Sequence, residues 1–204
     1  VAFILLPILM LSASAKAAGI CDDYPRKLRV MTEIDQALRD RWDYSTIPPH
    51  TKSPSELPLI VQQTMLIDRE NTKTLRKLVE LCGWPKRGVH GSQALSDAWL
   101  LAQHADKDEA LQRIVLSNIT KAVDAGEAPV DQLAYYSDRT AILAGKPQLY
   151  GTQLNLNKSC EFEFSPFDDV VKVEERQRKI GWPTLQKYKK TVTDNFVHAS
   201  CDAA

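Results

Sequence analysis

The stretch Ser92-Gln93-Ala94-Leu95-Ser96-Asp97-Ala98-Trp99-Leu100-Leu101-Ala102-Gln103-His104-Ala105-Asp106-Lys107-Asp108-Glu109 decides the architecture. Ala94, Leu95, Ala98, Trp99, Leu101 and Ala102 recur at helical spacing and cover most of a helix circumference. A helix over 92–105 that is apolar on so many sides has to be enclosed by other elements. Its polar strip carries Gln93, Asp97 and His104. Asp106, three residues before Glu109, reads as the N-cap of a following helix. Two helices that meet at a charged corner point to a helical protein.

Outward from this corner the same signals repeat. Leu28, Met31, Leu38 and Trp42 mark a first helix over 24–42, and Pro48-Pro49 places a loop over 45–53. Ser53-Pro54-Ser55-Glu56 has the form of a capping box. Pro58 delays the second helix, which runs to Cys82. Gly83 stops it, Trp84 can fold back on Val79, and Pro85 prevents continuation. A fourth helix over 107–125 stops at Gly126, and a fifth over 129–144 stops at Gly145. The pattern then changes. Segments 148–154 and 160–164 suit a short hairpin with Phe162 and Phe164 on one face. Asp168 or Asp169 starts a further helix that ends at Gly181-Trp182-Pro183, and a last helix covers 184–196. The reading is an all-α or mostly α protein: a single compact multi-helix domain over 18–204, with a short β-hairpin near 148–164.

The bulk numbers fit one domain: 204 residues, 44% hydrophobic and 25% charged. Lys+Arg and Asp+Glu are both 26, so the chain lacks the basic footprint of a nucleic-acid binder. Residues 1–11 (VAFILLPILML) are too few to span a bilayer, which takes roughly 20. With Ala15-Lys16-Ala17 they make residues 1–17 a signal peptide whose charged first region is missing, and put the mature start near Ala18. Ile20 before Cys21 rules out a lipoprotein. The expected location is periplasmic or secreted, with no stable membrane insertion after cleavage. Cys21, Cys82, Cys160 and Cys201 then predict two disulfides in one of three connectivities. No CxxC spacing marks a structural zinc site.

Several polar residues sit inside apolar stripes, where burial is costly unless they are paired or used. Asp35 falls between Leu28 and Trp42 on its helix, with Arg39 one turn on. Asp138 and Arg139 have only apolar or aromatic residues at the nearest helical spacings, so their partners must lie on other elements. These groups, with Gln148-Leu149-Tyr150-Gly151-Thr152-Gln153, outline a polar pocket. In a catalytic reading His104 is the general acid/base, and Asp106 or Asp138 orients it. Arg139, Gln148, Tyr150, Thr152, Gln153, Asp35 and Arg39 then bind the substrate. Each residue also has a structural alternative: His104 suits a helix C-terminus, Asp106 caps, and Asp138 with Arg139 suits a buried ion pair. No nucleophile elbow, P-loop, GxGxxG or HExxH occurs, and no metal or cofactor is implied. The leading expectation is therefore a binding or interaction module, immunity- or inhibitor-like, for a small polar ligand or a protein partner. The alternative is a hydrolase or transferase.

Asp35-Gln36 with Arg39, Asp68 with Asn71, Gly83-Trp84-Pro85, Gln103-His104-Ala105-Asp106, Asp138-Arg139 and Gln148-x-Tyr150-Gly151-Thr152-Gln153 occur in this order. In this the chain resembles an uncharacterised bacterial domain-of-unknown-function family with QHAD and QxYGTQ signatures, over about 28–188. Its ending, Arg178 to Tyr188, is similar too, although a leucine is commoner in the family where Trp182 stands. The resemblance implies a helical fold and sets His104, Asp106, Asp138, Arg139 and segment 148–153 among shared positions. It implies no activity.

The first expectation open to test is export. Intact mass of protein recovered from its native host should place the N-terminus near Ala18, and soluble protein retaining residues 1–11 would refute the signal peptide.

Overall fold

Helix ends in this chain are set by side chains and glycines. The computed structural model describes residues 19–43, 53–157 and 161–195. Among them are seven α-helices of ten residues or more: α1 (Tyr24–Arg39), α2 (Leu59–Cys82), α3 (Arg87–Gln103), α4 (Glu109–Asp124), α5 (Val130–Leu143), α6 (Val170–Lys179) and α7 (Leu185–Asn195). A 3-10 turn, Pro54–Glu56, precedes α2, and the Ser53 hydroxyl caps it by accepting from the Ser55 amide. Pro58 then holds α2 back to Leu59 as expected. Gly91 takes φ 82° inside α3, so the regular helix starts at Ser92 after a separate turn. The signal peptide 1–17, the mature start at Ala18, the Pro48-Pro49 loop, Cys160, Phe196 and Cys201 lie outside the described residues.

The core forms where α1 and α2 clasp α3, with α4 and α5 behind. Tyr24 and Leu28 of α1 meet Leu75, Leu78 and Val79 of α2 and Ala94, Leu95, Ala98 and Leu101 of α3. The alanines of α3 leave room for its neighbours, which is why a helix apolar on so many sides sits at the centre. Leu111, Val115 and Ile119 of α4 and Tyr136 of α5 complete the core. Trp84 is buried in the same core cluster as Val79, and its burial follows from its place after Gly83. A disulfide joins Cys21 to Cys82, and the Tyr24 hydroxyl donates to the Gly83 carbonyl at 3.1 Å. Covalent and hydrogen-bonded links thus fix the start of α1 on the end of α2.

The hairpin differs from expectation. Strand β1 is Leu154–Leu156 and β2 is Phe162–Phe164, paired antiparallel with Leu154 opposite Phe164. Residues 148–153, expected in the first strand, form a loop, and Asn155 and Leu156, expected in the turn, are in the strand. Both ends of the segment still pair with the chain beyond β2, Gln148 in an isolated parallel bridge with Phe167 and the Gln153 carbonyl with the Ser165 amide. The Gln148 side chain binds the Gln153 backbone and closes the residues between into a loop. Asp169 caps α6 by accepting from the Val171 and Lys172 amides. Among the described residues no helix is long and apolar enough to cross a membrane.

The disulfide closes a loop with a sequence separation of 61. Replacing Cys21 and Cys82 together by serine should cost about 2–4 kcal/mol through the freer unfolded chain. Urea midpoints under non-reducing conditions measure this, and an unchanged midpoint would show that the link contributes nothing.

Candidate functional site

The corner between α3 and α4 gathers the charges. Helix α3 ends at Gln103, and three alternate residues beyond it reach three different helices. His104 Nδ1 lies 3.1 Å from Asp35 Oδ1 on α1. Asp106 accepts from Arg139 of α5 through two parallel bonds, Nε to Oδ1 at 2.8 Å and Nη2 to Oδ2 at 2.6 Å. Asp108 accepts from both Nε and Nη2 of Arg76 on α2 and from the Leu111 amide, so it caps α4. Asp108 therefore takes the capping role expected of Asp106, because Asp106 is turned toward Arg139. Gln112 donates to the carbonyls of Ala105 and Asp106, satisfying the bend itself.

The His104 end is a cluster of four side chains from three elements. Asp35 is fully buried and accepts from Arg39 Nη2 at 3.1 Å and Gln36 Nε2 at 2.6 Å. Arg39 Nη2 also donates to Asp68 Oδ1 at 2.6 Å, and its guanidinium lies 5.3 Å from the centre of the Trp42 ring. Burial pushes the Asp35 carboxyl up, but the His104 hydrogen bond and charge, then Arg39, outweigh it and hold the group below the ordinary carboxylate range. Asp68 moves the other way: burial raises it, and Arg39 and His104 do not fully compensate. With Asp35 ionised, His104 Nδ1 carries the proton and donates. Nε2 has no hydrogen-bond partner among the described residues, and the His104 side chain is 17% exposed. The ligand atoms of Asp35, Asp68 and His104 lie within 4.8 Å of one another, which is metal-site spacing. Arg39 already supplies the cation between the two carboxylates, so a divalent ion would have to displace it.

The remaining candidate residues belong to a second network. Asp138 is fully buried and accepts from the Leu149, Tyr150 and Thr152 amides at 2.6 to 3.1 Å. Burial raises its pKa, and those three amides oppose the rise. Gln148, also fully buried, donates to the carbonyls of Gln153 and Ser165 and accepts from the Gln153 amide. Gln177 holds the Tyr150 carbonyl at 2.8 Å, and the Tyr188 hydroxyl holds the Thr152 carbonyl at 3.0 Å. Gly151 has φ 69°, and a Cβ there would stand 2.4 Å from Leu185 Cδ2. Segment 148–153 is thus clamped by its own side chains and by α5, α6 and α7.

Two expected partnerships therefore differ. His104 is oriented by Asp35, whereas Asp106 and Asp138, the expected orienters, serve Arg139 and the 148–153 loop. Arg139, expected to hold a ligand anion, is already occupied by Asp106. No hydrogen bond or ion pair among the described residues joins His104 to Asp138, Arg139, Tyr150 or Gln153. The sequence reading left Asp68 out of the site, although Asp68 with Asn71 stands among the positions that carry the family resemblance. It also missed Arg76 and Gln177, which carry no motif of their own, and gave no role to Tyr188, the last residue of the family-like ending.

Fold and site define a disulfide-linked helical protein with a half-buried Asp–Arg–Asp–His cluster built on the buried Asp35. The chain belongs to the family of unknown function DUF6624, whose model matches residues 22–199. No curated protein matches it, and no solved structure does.

Replacing Asp138 by alanine would remove the acceptor of three amides, that of Thr152 buried and those of Leu149 and Tyr150 half-buried, and should cost about 3 kcal/mol or more. Thermal or urea unfolding would show it, and a loss under roughly 1 kcal/mol would remove Asp138 as the clamp of the loop.

Proposed function

We propose that the protein is exported and acts as a hydrolase or transferase at the Asp35–Arg39–Asp68–His104 cluster, with His104 as general acid/base. One observation carries this reading: His104 is anchored through Nδ1 on an ionised, fully buried aspartate, while its side chain stays 17% exposed and Nε2 holds no hydrogen bond among the described residues. Asp35 fixes the tautomer and stabilises the imidazolium that forms when Nε2 takes a proton from a hydroxyl or water nucleophile. The same nitrogen can return the proton to a leaving group. Asp68, with its raised pKa, is a second titrating group across Arg39, and environments that push two carboxyls apart are characteristic of acid–base sites. With His104 neutral the cluster carries two carboxylates and one guanidinium, a charge of −1. This favours a neutral or cationic group at Nε2 and disfavours a phosphate. Export is supported by the apolar run at residues 1–11 and by the Cys21–Cys82 disulfide, which suits an oxidising compartment.

A binding or interaction module is the second reading. The closed network around Asp138 favours it, because Gln148, Thr152 and Gln153 build rigidity there and leave few polar groups free for substrate.

A panel of chromogenic esters, amides and glycosides, with p-nitrophenyl phosphate as the anionic control, separates the two. Turnover should appear among the neutral substrates, and His104→Gln should lower kcat/KM by about 100-fold or more with the melting temperature nearly unchanged. If the variant turns over as fast as the wild type, or no neutral substrate reacts, the catalytic reading falls and the binding module stands.

A further inference from the structure

Helices α4 and α5 are consecutive and packed together, so the start of α4 lies beside the end of α5. At that end a groove of about 690 Å³ opens between them and the segment leading to Leu149. The volume falls in the range of small-molecule sites, roughly 300–1,000 Å³. Its apolar lining includes Leu116, Leu143 and Leu149, of which Leu143 is 48% and Leu149 41% exposed. The hydroxyls that line it, Ser137 and Thr140, donate to carbonyls of their own helix, so they do not compete for a ligand. The rim is cationic. Lys107, Arg113 and Lys146 stand against Asp106 and Glu109. Asp106 is taken by Arg139 and Glu109 lies 3.7 Å from Arg113, which leaves Lys107 and Lys146 with no acidic partner among the described residues.

We infer that this groove binds an amphipathic monocarboxylate, with its aliphatic chain on Leu116, Leu143 and Leu149 and its carboxylate between Lys107 and Lys146. An apolar floor contributes affinity through buried area, and two unpaired ammonium groups select the anionic head over a neutral one. The site shares no side chain with the Asp35–His104 cluster and is independent of the reaction proposed there.

Octanoate is the probe, titrated into the full ¹⁵N-labelled chain with 1-octanol as the neutral comparator. Saturable amide shifts should concentrate at Leu116, Leu143, Lys146 and Leu149. The double variant Lys107→Glu, Lys146→Glu should weaken octanoate about tenfold or more and leave octanol unaffected, since a tenfold change is about 1.4 kcal/mol. All four positions are exposed or at a groove, so Leu143→Asp gives a second folded variant, and it should weaken both probes. The inference is overturned by the absence of saturable shifts, by an unchanged octanoate Kd in the charge-reversal variant, or by octanol binding as tightly as octanoate. It is also overturned if an acidic peptide saturates the groove where octanoate does not.

Discussion

The bend after α3 constrains everything around it. Over five residues, His104, Asp106 and Asp108 each send a side chain to a different helix: α1 through Asp35, α5 through Arg139 and α2 through Arg76. Alternate residues at a bend diverge, so this geometry is available only because α3 stops at Gln103 and α4 waits until Glu109. Gln112 satisfies the carbonyls exposed by the break. A continuous helix would have set His104 and Asp108 on one face and turned Asp106 away.

Charge partnering separates scaffold from site. Asp106–Arg139 and Asp108–Arg76 are pairs in which each carboxylate meets one guanidinium through two bonds, a geometry that orients both partners. Asp138 meets no cation and is stabilised chiefly by backbone amides, so its burial is tolerable because three N–H groups converge on it. The Asp35 cluster is different. Two carboxylates share one guanidinium and a histidine, the balance is uneven, and their pKa values are driven in opposite directions. This uneven balance, beside a ring nitrogen with no hydrogen bond among the described residues, sets the cluster apart from the closed networks around it.

The amino-acid sequence determined the class of fold. The order of helices, the stops at Gly83, Gly126, Gly145 and Gly181 and the burial of Trp84 follow from periodicity and backbone rules that act within a few residues. Local rules also gave two wrong details. Asp106 and Asp108 both sit ahead of Glu109 and both fit a cap, and only the position of Arg139 on α5 decides between them. Segment 148–154 has a strand's composition, but only Leu154 enters β1, because two buried side chains, Asp138 and Gln148, bend residues 148–153 into a loop.

The candidate site was legible as a set of residues and illegible as a set of partners. Polar side chains in apolar stripes announced that Asp35, His104, Asp138 and Arg139 had to be paired. Which pairs form depends on sequence separations of 69 between Asp35 and His104, and of 33 between Asp106 and Arg139. Nothing local encodes such pairings, since they follow from how helices cross and not from what each helix prefers. The sequence by itself therefore settled that buried charge must be answered, and the tertiary structure decided that His104 is answered by Asp35 and Arg139 by Asp106.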